Sequence, residues 1–199
     1  MVSFVYRNAP RDRDRSGIHV SEIGYGSGSN LWFAAREGFR VSGIEGSEAA
    51  VRMAVDRFES DGLSGDLRVG LFPELPWDDG TVDLLIDRGA LTCVGFDLAR
   101  QTLRECHRVL AAGGRMYFTP YSSMNSSAEY GRDCEDGCRR DISGGPMQGV
   151  GSICFYDSEQ VVDVIGEGWQ VVQFEHLLSE DRVKNDGRFA VWRLVLEKN

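Results

Sequence analysis

Three glycines stand at every second position in EIGYGSGSN, as Gly24, Gly26 and Gly28, directly after a short apolar run over residues 18–23. Glycine has no Cβ, so such a loop either turns through backbone conformations closed to other residues or lets something lie close against the main chain. The preceding run is partly β-branched and reads as a buried strand feeding a turn. Beyond the glycines, Asn30 is a candidate N-cap for a helix carrying Leu31, Trp32, Ala34 and Ala35, with Gly38 ending it. Strand, loop and helix N-terminus together make a backbone cradle whose N–H groups suit an anion or a carboxylate.

The alternation continues along the chain. Residues 39–45 form a second strand candidate, and Ser47 caps a helix whose Val51, Ala54, Val55 and Phe58 fall on one face. A weaker strand is expected at residues 67–71 and a stronger one at 82–86, where VDLLI is nearly continuous in apolar residues, as a parallel strand covered on both faces should be. A helix over about 97–110 places Leu98, Thr102, Cys106, Val109 and Leu110 on one side, Gly113 and Gly114 are expected to stop it, and a fifth strand follows at 115–119. Asp157 is a candidate cap for a last helix bearing Val161, Val162, Val164 and Ile165. Strands around 169–174 and 189–196 then pair antiparallel about a turn at Asp186 and Gly187. Strands alternating with helices of this length imply an α/β fold, an open and mostly parallel Rossmann-like sheet with helices on both faces and an antiparallel last strand. Residues 1–17 are expected as an N-terminal arm and 18–199 as one domain. Periodicity is lost over 121–152, an irregular insertion expected on the substrate side.

Composition narrows the function classes. The chain carries 22 basic and 31 acidic residues, a net charge of −9, which argues against a nucleic-acid partner because such binding rests on a basic face. No apolar stretch approaches the roughly 18 residues of a spanning helix, and the N-terminus lacks the apolar core of a secretory signal, so a cytoplasmic location is expected. Cys93, Cys106, Cys134, Cys138 and Cys154 are odd in number and lack CxxC spacing, which fits a reducing compartment better than a disulfide framework. The DCEDGCRRD pair has no nearby histidine, so no metal site is expected there.

The glycine spacing separates two nucleotide-binding patterns. A dinucleotide loop of the form GxGxxG would place its third glycine at position 29, where this chain has Ser29, so a nicotinamide-dependent oxidoreductase is disfavoured. EIGYGSGSN instead resembles motif I of the class I S-adenosylmethionine-dependent methyltransferases, (D/E)xGxGxG. Glu45, closing the second strand 19 residues after Gly26, stands where that family's acidic residue binds both ribose hydroxyls, a task suited to carboxylate oxygens, which accept hydrogen bonds. LPWDDGTVDLLIDRGAL and LRECHRVLAAGGRMYFT are similar to the family's segments around its fourth and fifth strands, so the resemblance spans roughly residues 18–120.

The resemblance implies S-adenosylmethionine as cofactor. Gly24, Gly26 and Gly28 would let the loop pass beneath its methionine portion, Glu22 would fix the loop or hold the amino group, and Glu45 would take the ribose with Gly46 leaving room beside it. Many relatives have an acidic residue for the adenine amino group where this chain has Leu71, leaving backbone and the apolar faces of Leu71 and Phe72 to meet the adenine. Tyr25 fills a position often held by a small residue, so its ring must point away from the cofactor or lid it.

The acceptor is less legible. At the end of the fourth strand Asp87, Arg88, Gly89 and Ala90 replace the (D/N/S)PP(Y/F/W) motif of enzymes that methylate base amines and glutamine amides. Asp87 either orients cofactor or substrate or caps the following turn. His19, His107 and His176 read as structural or solvated, and no general base is identified. Tyr121, Tyr130, Arg132, Arg139 and Arg140 are the candidates for meeting an acceptor, their alternative being a solvated loop. The expectation is methyl transfer to a small molecule; a non-catalytic S-adenosylmethionine-binding protein of the same fold is the alternative.

Overall fold

The structure, a computed structural model, describes residues 1–183 and 187–199. Its sheet is built from β1 (His19–Ile23), β2 (Arg40–Glu45), β3 (Asp66–Val69), β4 (Val82–Asp87), β5 (Leu110–Phe118), β9 (Trp169–Glu180) and β10 (Arg188–Lys198). These seven strands lie in the order β3-β2-β1-β4-β5-β10-β9, and β10 runs antiparallel to both β5 and β9. The expected fold class is the one observed. The strand order reverses between β1 and β4, the place where open α/β sheets leave a crevice at the carboxyl ends of their strands.

Helices α1 (Val2–Asn8), α2 (Ser29–Arg36) and α3 (Glu48–Ser60) cover one face, and α4 (Phe96–Val109) and α5 (Ser158–Ile165) the other. The first core joins Phe4, Val5, Leu31, Ala54 and Phe58 to Val20, Leu84 and Ile86 of the sheet; the second joins Leu103, Cys106, Val161 and Ile165 to Ile23, Leu85, Met116 and Phe118. Leu84 and Leu85 thus serve opposite cores, which explains the unbroken apolar run in β4. The caps read from the sequence hold at two helices. Ser47 Oγ accepts from the Ala50 amide, and Asp157 forms a reciprocal capping box with Gln160.

Several expectations need correction. Within the expected N-terminal arm, α1 packs on the domain, burying Phe4 and Val5 and bringing the Phe4 ring to 5.3 Å from that of Tyr117 in a tilted pair, while residues 11–17 are exposed. Helix α4 ends at Val109, before Gly113 and Gly114; these glycines belong to β5, where the register against β4 shifts and the strand bulges. The segment 121–152 is also less irregular than its composition suggests. It carries β6 (Arg132–Asp133) and β7 (Arg139–Arg140), which pair with β8 (Ser152–Ile153) in a small antiparallel sheet. The pairing of Arg139 with Ile153 sets Cys138 opposite Cys154, and the two are joined by a disulfide, against the expectation of free thiols. Sequence spacing drew attention to Cys134 and Cys138 instead, because cross-strand register is invisible to it. Of the turn between β9 and β10, Gly187 has the positive φ of a turn glycine, while Asp186 lies outside the described residues. Among the described residues no helix is long and apolar enough to cross a membrane.

Candidate cofactor and acceptor cavity

Parallel register places Ile23, Ile44 and Asp87 side by side, so the loops after β1, β2 and β4 leave the sheet together. There a cavity of about 470 Å³ opens, lined on one side by Glu22, Gly24, Tyr25, Gly26, Ser27 and Asn30 and on the other by Arg88, Tyr117, Thr119, Tyr121, Phe189, Val191 and Arg193.

The three loop glycines have different reasons for being glycine. All have positive φ, at 62°, 55° and 74°. At Gly24 an added Cβ would stand 2.3 Å from the Cβ of Ala90, so this glycine lets the β1 and β4 loops touch. At Gly28 it would meet Ala54 at 2.9 Å, and Gly28 caps α2. Only Gly26 would aim a Cβ at open space, which makes it the cradle proper. Asn30 is therefore not the cap it was expected to be; the cap is Gly28, two residues earlier, and the Asn30 amide donates to Glu22 Oε1 at 2.6 Å.

Glu22 carries the strongest perturbation in the cavity. Burial pushes its carboxyl up to about 8, with Asp87 adding to the shift and the Asn30 hydrogen bond and Arg88 opposing it. Its Oε2 has no partner among the described residues. Glu22 lines the cavity, and a buried carboxyl oxygen left unpaired is costly unless a donor or cation reaches it; an ammonium group meets that need. Glu45 accepts from the Gly26 amide through Oε2 and from the Ser47 amide through Oε1, both at 2.8 Å, and each oxygen keeps a second acceptor site. Leu71 is 76% exposed and lies over Gly46, where an added Cβ would meet its side chain at 2.9 Å. With Phe72, which packs against the core, it offers an apolar surface beside Glu45.

Of the remaining candidates, Tyr25 and Tyr121 line the cavity and the others fall elsewhere. The Tyr25 ring turns into the core over Gly43, its hydroxyl reaching the Arg68 carbonyl at 3.4 Å, and burial pushes its pKa up to about 12. Asp87 is fully buried beneath the β4 loop; its Oδ1 accepts from the Ala90 and Leu91 amides at 3.0 Å, so of the two roles open to it the structure displays the turn cap. Burial pushes it up to about 6, against the pull of those amides. Arg132, Arg139 and Arg140 are ion-paired within the insertion to Asp141, Asp133 and Asp136, and neither they nor Tyr130 line the cavity. Tyr121 does. His19 is held in a buried network with Ser21, Ser42 and the Thr81 carbonyl, and burial lowers its pKa. His107 bonds the Gly168 carbonyl, and His176 bonds Ser122 and stacks on Trp192. Missed from the sequence were Phe189, Val191 and Arg193, whose period-two spacing on β10 marks one face of a strand.

The cavity thus combines an open glycine cradle with an unpaired buried acid, and next to it stand Glu45, bonded to the Gly26 amide, and the apolar Leu71 and Phe72, a set that fits the methionine, ribose and adenine parts of S-adenosylmethionine. Residues 20–114 match a family model described as a methyltransferase domain. Over those residues the chain carries a methyltransferase domain of the class I S-adenosylmethionine-dependent kind. No curated protein matches it in sequence. Among solved structures, the methyltransferase domain is similar to a SAM-dependent methyltransferase of Methanosarcina mazei, with a TM-score of 0.79, 19% identity and 98% and 96% of the two chains covered. An S-adenosylmethionine-dependent methyltransferase of Mesorhizobium loti has a TM-score of 0.74 at 16% identity, again covering 98% and 96%. The cyclase SpnF has a TM-score of 0.70 at 18% identity, covering 98% of this chain and 78% of its own. These likenesses establish the fold, and a fold alone does not fix an activity.

Proposed function

We propose that this methyltransferase domain binds S-adenosylmethionine in the cavity at the ends of β1 and β4 and passes its methyl group to a small molecule. The observation that carries the reading is the buried Glu22 carboxyl, unpaired at Oε2 and set beside the one loop glycine that faces open space. Glu22 would hold the ammonium of the methionine portion, Glu45 the ribose hydroxyls, and Leu71 with Phe72 the adenine. When bound, the cofactor would supply an electrophilic methyl group on a sulfonium, whose sulfur can leave with the C–S electron pair when an acceptor lone pair takes the carbon.

The protein's share is positioning and exclusion of water. Tyr121 and Phe189 meet edge to face at 5.7 Å and, with Tyr117 and Val191, give the acceptor side aromatic and apolar walls. Among the described residues no histidine lines the cavity, and the carboxyl that does, Glu22, is assigned to the cofactor. The acceptor therefore brings its own lone pair, as an amine, thiolate or oxyanion does.

Incubation with S-adenosylmethionine bearing a 13C methyl group, across a panel of small amines, thiols, phenols and acids, tests this. Mass spectrometry is expected to show acceptor-dependent formation of S-adenosylhomocysteine with an equal amount of labelled product. Tight cofactor binding with no product from any class would favour a non-catalytic binding protein.

A further inference from the structure

The acceptor side of the cavity contains one cation that the fold leaves unused. Arg88 follows Asp87 directly at the end of β4 and lines the cavity, yet among the described residues it makes no hydrogen bond or salt bridge. The other cavity arginine is differently placed: Arg193 Nε donates to Glu175 at 2.7 Å, so its charge is answered within the protein. Arg88 lies near enough to Glu22 and Tyr121 to favour the ionised form of each. It therefore neighbours, in one cavity, both the acid that the cofactor reading uses and the aromatic wall that it does not. Neither Glu22 nor Asp87 hydrogen-bonds to Arg88: Glu22 Oε1 accepts from Asn30 and Asp87 Oδ1 from the Ala90 and Leu91 amides, while Glu22 Oε2 and Asp87 Oδ2 have no partner among the described residues.

We propose that the methyl acceptor carries a carboxylate or equivalent oxyanion, that Arg88 receives it, and that the acceptor's apolar body lies against Tyr117, Tyr121, Phe189 and Val191. The inference rests on the reading of this cavity as the methyl-transfer site. A guanidinium presents a planar fork that matches a carboxylate through two parallel hydrogen bonds. The roughly 470 Å³ of the cavity is shared between this side and the glycine loop, which favours a single-ring or similarly small acid over a polymer. Arg88 acts here as an anchor. The atom that receives the methyl group is set by the rest of the acceptor's shape.

A carboxylate on Arg88 could also be the cofactor's own, and the test separates the two sources. Wild type and Arg88→Gln are each titrated with S-adenosylhomocysteine. Both saturated proteins are then titrated with benzoate and with its neutral analogue benzamide, binding being followed by ligand-observed NMR. The account expects benzoate to bind saturated wild type about tenfold or more tightly than benzamide, as a charge-assisted pair should. Arg88→Gln should erase that preference while changing S-adenosylhomocysteine affinity less than about threefold. Equal binding of acid and amide, or binding of neither, with S-adenosylhomocysteine bound normally, would overturn this inference alone. A tenfold loss of S-adenosylhomocysteine affinity in Arg88→Gln, without any acid preference in wild type, would assign the guanidinium to the cofactor. Failure of wild type to bind S-adenosylhomocysteine would remove the cofactor reading beneath it.

Discussion

Affinity for S-adenosylhomocysteine is expected to climb by up to about tenfold per pH unit from about pH 6 to about pH 8 and then to level off. The cause is Glu22, whose buried carboxyl titrates at about 8 in the free protein and is therefore mostly neutral at pH 7. A cationic amino group needs the carboxylate form, so binding must expel a proton below that pKa, and each unit of pH below it costs about 1.4 kcal/mol. The sign follows from the raised value: a carboxyl at its usual value would already be ionised across this window and the profile would be flat. The groups around Glu22 move it in known directions, Asn30 and Arg88 favouring ionisation, Asp87 and Glu45 opposing it. Calorimetry at pH 6, 7 and 8, in buffers of different ionisation enthalpy, checks both affinity and proton release. Glu22→Gln should flatten the profile and hold affinity near the wild-type value at low pH. A flat wild-type profile would contradict the assignment of Glu22 to the amino group.

The second large effect separates two glycines that look equivalent in the sequence. Gly26→Val places a branched side chain in the open cradle and is expected to weaken S-adenosylhomocysteine binding at least a hundredfold. The cost to folding should stay near the ~1–2 kcal/mol of a left-handed residue. Gly24→Ala adds a single methyl, but at φ 62° and 2.3 Å from the Cβ of Ala90, so overpacking joins the backbone strain and a stability loss of about 2–5 kcal/mol is expected. Urea denaturation of both variants, paired with calorimetric titration, measures each effect. If Gly24→Ala folded as well as wild type, or Gly26→Val bound as well, the division of labour within the loop would be wrong.

The strands and helices were legible because their signals are local. The alternating elements through residue 119 and the capping residues Ser47 and Asp157 depend on periodicity and short-range hydrogen bonds, which sequence displays directly. Glu22, the glycines and Glu45 could be grouped because the motif that holds them spans few residues and one crossover. What escaped reading depends on register and on competition for partners. The Cys138–Cys154 disulfide follows from how β7 faces β8, and Asn30 left the cap role because Glu22 offered its amide a buried acceptor. The insertion arginines looked free until Asp133, Asp136 and Asp141 were seen to face them. Arg88 was visible as a departure from a motif, but only the folded chain shows that it makes no hydrogen bond or ion pair among the described residues.

The central claim is that this cavity binds S-adenosylmethionine, and titration of wild type and Glu45→Ala with S-adenosylhomocysteine at pH 8 tests it most directly. The account predicts micromolar binding to wild type and a loss of about tenfold or more in the variant, because a carboxylate that receives two hydroxyls contributes through charge-assisted hydrogen bonds. Since Glu45 also accepts from the Gly26 and Ser47 amides, thermal unfolding of the variant is measured alongside, and the loss should persist where the variant remains folded. No binding to wild type, or equal binding to both proteins, would contradict the account.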